Sequence, residues 1–171
     1  MNPSSLAIIA LGSNLGQSRQ NVLQAITRLE ALSERPLLKS SLWQTSPVDC
    51  PPGSPPFINA VVGLAPRPRE TPESLLAKLQ ALELEFGRRP KRAHNEARLL
   101  DLDLIAFGDE MRANAALTLP HPRAAQRRFV LQPLGEIAPG LVLPGQTQTV
   151  GDLLRRLPPD SRMRREEENL D

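Results

Sequence analysis

Leu100-Asp101-Leu102-Asp103-Leu104 is the segment whose residue types and spacing most directly suggest chemistry. On a strand, successive side chains alternate faces, so Asp101 and Asp103 point the same way, roughly 6.6 Å apart along the backbone. Two carboxylates on one face repel each other unless water or a cation separates them. Mg²⁺ takes hard oxygen ligands at about 2.0–2.1 Å and often uses one or two carboxylates plus substrate phosphates. Carboxylates so spaced can converge by side-chain rotation on a pair of ions about 4 Å apart. By itself the pattern also suits the wet face of a half-exposed antiparallel strand. The neighbours favour the metal reading. Arg88, Arg89, Lys91, Arg92 and Arg98 crowd into the stretch directly ahead of the acidic pair. A polyphosphate–Mg²⁺ site needs this combination: carboxylates hold the metal, and arginines grip the oxygens the metal leaves free. A second basic group, His121, Arg123, Arg127 and Arg128, follows Leu119-Pro120 and is able to close over the same phosphates. His121 stands between two prolines, which also suits a plain turn residue.

Other phosphate-binding devices are missing. No Gly-x-x-x-x-Gly-Lys-Ser/Thr run occurs, so there is no P-loop. Gly12-Ser13-Asn14-Leu15-Gly16 lacks both the lysine and the dinucleotide glycine spacing, and reads as a tight strand-to-helix turn. Neither a Ser-His-Asp arrangement nor a protein-kinase signature is present.

The elements that must position these residues follow from hydrophobic periodicity. Leu6 to Leu11 reads as a buried strand, and Val22, Ile26, Leu29 and Leu32 keep helical spacing from Ser18 onward. Leu38 to Gln44 predicts a strand, and the proline-rich run Thr45 to Pro56 predicts a long loop. Phe57 to Ala65 is a further strand. Thr71-Pro72-Glu73 opens a helix with Leu75, Leu79, Leu82 and Phe86 on one face and Gly87 as its stop. Leu100 to Phe107 alternates strictly at its start. The order is βαββαβ, the split pattern of a ferredoxin-like α+β sandwich with a largely antiparallel sheet. Phe129 to Ile137 predicts a helix, Leu141 to Leu143 a short strand and Val150 to Leu157 a last helix. Residues 1–158 read as one domain, and 159–171 as a charged, disordered tail.

Composition narrows the function classes. The 171 residues are 40% hydrophobic and 23% charged, enough for one packed soluble domain. Cys50 is the single cysteine, so neither a disulfide framework nor a cysteine-rich zinc site is expected. The opening residues predict no secretory signal or membrane anchor, and a cytoplasmic location is expected. Net charge is only +2, but arginine far outnumbers lysine. That favours anionic partners unless it reflects a coding bias. Aromatic residues are 3% of the chain and tyrosine is absent, which weakens any base-stacking surface.

In this order the motifs resemble bacterial 6-hydroxymethyl-7,8-dihydropterin pyrophosphokinases of folate biosynthesis, over roughly residues 6 to 157. The resemblance is carried by Ala10 to Gly16, Thr45 with Pro47, Phe57-Ile58-Asn59-Ala60, Glu83 with Gly87-Arg88, and Leu100 to Asp103. Leu119-Pro120-His121, Arg127 with Phe129, and Pro133 to Pro139 complete it. It implies a ferredoxin-like fold and transfer of pyrophosphate from ATP to the pterin's hydroxymethyl oxygen, releasing AMP. Asp101 and Asp103 would hold two Mg²⁺ ions. Arg88, Arg98, His121 and Arg127 would contact phosphates with Glu83 nearby, while Leu104 and Thr118 line the adenine side. Asn59 would read the pterin's amide edge with Thr45 and the backbone at Val48, and Phe57 and Phe129 would sandwich the ring. Partners would be ATP and a reduced pterin, with no nucleic acid or membrane, and the chain would be a monomer.

The chain departs from the family's usual Arg-Trp-Gly-Pro-Arg before the acidic pair, reading His94-Asn95-Glu96-Ala97-Arg98. Two other readings therefore accompany the enzyme: a pterin-binding protein with weakened catalysis, and a ferredoxin-like RNA-binding module using its basic loops.

Overall fold

The computed structural model describes residues 5–46, 53, 55–87, 99–160 and 162–166. The elements are β1 (Ala7–Ser13), α1 (Ser18–Glu30), β2 (Leu38–Lys39), β3 (Trp43–Thr45), β4 (Phe57–Leu64) and α2 (Pro72–Glu85). They continue as β5 (Asp101–Phe107), β6 (Arg112–Ala113), β7 (Thr118–Leu119), a 3-10 turn at Ala124–Gln126, α3 (Arg128–Ile137), α4 (Val150–Arg156) and β8 (Met163–Arg165). The main sheet runs β5-β1-β4-β3-β8, with β2 also paired to β4, and every pairing is antiparallel. Counting β2 and β3 as one interrupted strand gives the ferredoxin-like split βαββαβ. β6 and β7 form a separate hairpin. Among the described residues no helix is long and apolar enough to cross a membrane.

Local chemistry explains the elements. Thr71 and Ser74 cap α2 reciprocally: the Ser74 N–H donates to Thr71 Oγ1 at 3.0 Å, and the Thr71 N–H donates to Ser74 Oγ at 2.9 Å. Gly87 ends the same helix at φ +91°, a conformation glycine adopts without steric cost. β1 is buried along its whole length, and its alternate residues feed two separate cores. Ala7, Ile9 and Leu11 join Val22, Ala25 and Leu29 of α1 and Leu75, Leu79 and Leu82 of α2. Ile8 and Ala10 join Val130, Leu131 and Leu134 of α3 and Val150 of α4.

Three expectations are corrected. The strand over Leu38 to Gln44 is interrupted at Ser40, where the Ser40 N–H still donates to the Val61 carbonyl at 3.0 Å but the Val61 N–H donates back to the Ser40 side-chain hydroxyl at 2.9 Å and not to its carbonyl. Leu141 to Leu143 is not a strand. The Leu141 N–H turns back to the Ala138 carbonyl, and the Leu141 carbonyl accepts from Val150, while Leu141 and Leu143 bury their side chains. The segment expected as a disordered tail contributes β8, which pairs Met163 to Arg165 with Thr45 to Trp43. Charge and low hydrophobicity gave no hint of this, because an edge strand is held by backbone hydrogen bonds that any residue can supply.

Candidate active site

The register of three adjacent strands builds the site. Directly paired residues of antiparallel strands share a face. One row across the sheet is therefore Asp101, Gly12, Asn59 and Trp43, and the next is Asp103, Ala10 and Val61. Gly12 and Ala10 are small, so the central strand does not fill the space above it. A cavity of about 420 Å³ lies there. It is lined by Asp101 and Asp103 from β5, Asn59 and Phe57 from β4, Thr45 from β3, and Arg127 and Phe129 at the start of α3.

Asn59 is only 6% exposed. Its Nδ2 donates to Thr45 Oγ1 at 2.8 Å, which fixes the amide plane. A Cβ at residue 12 would stand 3.1 Å from Asn59 Oδ1, so glycine is what lets the amide lie over β1. Phe57 and Phe129 are half-buried, each able to present a ring to a flat ligand. The Arg127 guanidinium lies 5.3 Å from the centroid of the Phe129 ring, joining a cation to that aromatic face.

β5 carries the acidic pair on its cavity face while Leu102 and Leu104 bury in the opposite core. The Leu102 N–H, between the two aspartates, donates to Glu83 Oε2 at 2.9 Å. Glu83, 6% exposed on α2, thus anchors the strand from behind and does not line the cavity. Further along β5, the ladder to β1 shifts register between Ile8 and Ile9. Near this irregularity the Ile105 carbonyl accepts the His121 N–H at 2.8 Å, which docks His121 beside β5. Burial, then the Arg127 and Arg123 guanidiniums, hold the His121 imidazole below its ordinary value, against the opposing pull of Asp101. The neutral ring accepts the Arg123 N–H at Nδ1, 3.2 Å away, which leaves its own proton on Nε2.

The cavity therefore gathers Asp101, Asp103, Thr45, Phe57, Asn59, Arg127 and Phe129, with His121 next to Asp101. It does not gather Glu83, the Leu104 side chain or Thr118, which is exposed on β7. Arg88, Arg98 and Val48 lie outside the described residues, as does Cys50. Arg128, read from sequence as a phosphate-side cation, also lines the cavity, and it donates to the carbonyls of Leu157 and Pro158 and to Gln132. Sequence reasoning missed Ala10 and Gly12 as cavity floor, although strand alternation signals them. It also missed Asp160 and Arg162, for which the sequence carries no signal.

Fold and cavity together define a ferredoxin-like α+β domain with a cavity of mixed charged, amide and aromatic lining on one face of its sheet. The model of the 7,8-dihydro-6-hydroxymethylpterin-pyrophosphokinase family matches residues 8–139, and the chain belongs to that family. It is 38% identical over 151 residues to the 2-amino-4-hydroxy-6-hydroxymethyldihydropteridine pyrophosphokinase of a Synechocystis strain, covering 88% of this chain and 75% of the relative. The Haemophilus influenzae protein of the same name is 37% identical over 150 residues, covering 88% and 91%. Among solved structures, the Plasmodium falciparum HPPK-DHPS crystal structure with pteroate shares the fold at a TM-score of 0.70 and 11% identity. That match covers 94% of this chain, which spans about half of the Plasmodium chain, at 47%.

Proposed function

We propose that this chain is a Mg²⁺-dependent pyrophosphokinase that moves the β,γ-diphosphoryl group of ATP to the hydroxymethyl oxygen of 6-hydroxymethyl-7,8-dihydropterin. The pterin oxygen bonds to the β-phosphorus, the bond from that phosphorus to the AMP oxygen breaks, and the hydroxyl proton is released. The observation that carries the reading is the shared cavity: Asp101 and Asp103 at one side, the Asn59–Thr45 amide floor and two phenylalanines at the other.

The donor set suits Mg²⁺. Among the described residues no group of three or more His, Cys, Asp or Glu is placed to hold a metal. Two carboxylates that leave coordination positions for phosphate oxygens are what this ion commonly takes. When bound, the ion would supply Lewis-acid neutralisation of charge on the triphosphate. Asp101 and Asp103 would hold it. Arg127 would donate to phosphate oxygens, and His121 would do so through Nε2–H without adding charge. Arg88 and Arg98 belong to the same phosphate-binding set in this reading. The adenine would lie toward the backbone at Leu104 and toward Thr118. Asn59, fixed by Thr45, would offer an amide to the pterin's own amide edge, and Phe57 and Phe129 would take its two faces.

Incubation with ATP, Mg²⁺ and the reduced pterin should release AMP and pterin diphosphate in equal amounts, and a chelator should stop it. Release of ADP, or no nucleotide product, overturns the reading. Sedimentation of the protein tests the monomer expected with it.

A further inference from the structure

Beyond residue 139, where the family match ends, the chain passes through α4 and returns to the cavity at Asp160 and Arg162. Three sets of contacts hold this segment. Arg128 donates from Nη2 to the carbonyls of Leu157 at 2.9 Å and Pro158 at 3.0 Å, and from Nε to Pro158 at 3.2 Å. Gln132 Oε1 accepts from Arg128 Nη1 at 2.8 Å and so fixes the guanidinium plane. A planar fork serves two neighbouring carbonyls in a way that a lysine ammonium does not reproduce. Asp160 then accepts from the Arg162 N–H at 3.0 Å, from Nε at 2.9 Å and from Nη2 at 3.1 Å. Finally the Ser46 N–H donates to the Arg162 carbonyl at 3.0 Å, and β8 continues along β3 as far as Arg165 opposite Trp43.

We propose that this C-terminal segment is the outer wall of the pterin subsite and that Arg128 is the positioning residue that clasps it there. The proposal rests on reading the cavity as the pterin site. Thr45 is the link. It fixes Asn59, and it sits on β3, a strand of three residues whose outer edge is covered by β8. So short a strand is marginal without pairing on both sides. Loss of the clasp frees β8, loosens Thr45 and so blurs the amide that reads the ring. The wall's chemistry agrees with this substrate. Asp160 neutralises Arg162, so the wall offers hydrogen-bonding groups without net charge, which suits an uncharged heterocycle better than a triphosphate.

The test uses full-length Arg128→Gln, Arg128→Lys and Arg162→Gln. Trp43 is the single tryptophan of the chain and lies against β8, so its emission reports the clasp with no substrate present. Both Arg128 variants should shift Trp43 emission and raise Kd and KM for the pterin roughly tenfold, as loss of charge-assisted hydrogen bonds does. Affinity for Mg-ATP should stay within about twofold, because Arg128 directs its donors to Leu157, Pro158 and Gln132. Arg162→Gln should leave Trp43 emission unchanged and raise the pterin KM a few-fold with kcat little altered. If Arg128→Lys restores activity and ATP affinity is what falls in Arg128→Gln, Arg128 is a phosphate ligand and the proposal fails. It also fails if pterin affinity is unchanged in all three variants while they melt cooperatively. Wild-type protein that binds no pterin overturns the site reading itself, and with it the wall's substrate. Unshifted Trp43 emission in the Arg128 variants overturns the clasp alone.

Discussion

Under α1 and α2, the three central strands present Ala7, Ile9 and Leu11, Ala60, Val62 and Leu64, and Leu102 and Leu104, a continuous apolar surface. Under α3 the same strands begin the same way, with Ile8, Val61 and Ile105 packed on α3 and α4. One register step further on, this second face changes to Ala10, Gly12, Asn59, Phe57, Asp103 and Asp101, which line the cavity together with the first residues of α3. One backbone thus carries a sealed face and a half-open one, because strand side chains alternate with a period of two. The sealed face supplies cohesion. The open one forgoes apolar burial to hold carboxylates and an amide in fixed relative positions. That division should be visible in mutants.

The largest expected effect is on the open face. Asp101→Ala or Asp103→Ala should cut AMP formation by roughly a thousandfold, the scale of losing a group that stabilises transition-state charge. Thermal stability should hold or rise slightly, since removing one of two like charges relieves repulsion. Steady-state AMP release and a melting curve on the same preparation check both halves. Unchanged activity would remove the metal assignment.

Leu79→Ala on the sealed face should do the reverse. Leu79 is fully buried on α2, and truncation there should cost about 2–5 kcal/mol of stability. Activity per folded molecule should be nearly unchanged at low temperature. Chemical denaturation combined with activity at 10 °C, about 283 K, measures it. A large loss of kcat in folded protein would show that the two faces are not separable.

Asn59→Ala should weaken pterin binding by roughly 1–3 kcal/mol, the cost of leaving buried polar groups unpaired, with ATP binding little altered. Gly12→Ala approaches the same defect from beneath, since its Cβ would press on Asn59 Oδ1 at 3.1 Å. It should reduce pterin affinity less than Asn59→Ala does. Calorimetry with each ligand separately distinguishes these losses from general misfolding, which would lower both affinities alike.

The smallest effect is the pH response of His121. Its folded-state value lies below the ordinary one because of burial and the Arg127 and Arg123 charges. The unfolded chain therefore binds more protons in that range. The stability tied to the neutral ring is full above the ordinary histidine value of about 6.5 and is lost as pH falls through it toward the folded value. His121→Gln should lose less stability between neutrality and mild acid, by a few degrees of Tm at most. Asp160, held low by its hydrogen bonds from Arg162, loses its contribution only at more acidic pH. Equal slopes for wild type and His121→Gln over the interval would remove His121 from this account.

Residue by residue, the sequence made some parts of this legible and not others. The Asp101–Asp103 alternation, the α2 cap at Thr71 and the stop at Gly87 are local. Strand period and turn geometry depend on neighbours in the chain, so these appear in the structure as read. The interruption at Ser40 depends on a hydroxyl meeting the Val61 amide across the sheet, which no local pattern encodes. That Glu83 accepts the Leu102 amide is likewise not local, because only packing of α2 on β5 decides which side of the strand it reaches.

By itself, then, the sequence determined the order of elements, the face on which the two aspartates stand and the family to which the motifs belong. Each of these follows from periodicity or from residues close in the chain. The tertiary structure alone decided that Gly12 and Ala10 leave a cavity between Asp101 and Asn59. It alone decided that Arg128 holds the backbone of Leu157 and Pro158, and that Met163 to Arg165 complete the sheet edge. Those outcomes depend on strand register and on hydrogen bonds between groups far apart in the chain. Registers are fixed only when the whole sheet is assembled, since a shift of one residue would turn every side chain to the other face.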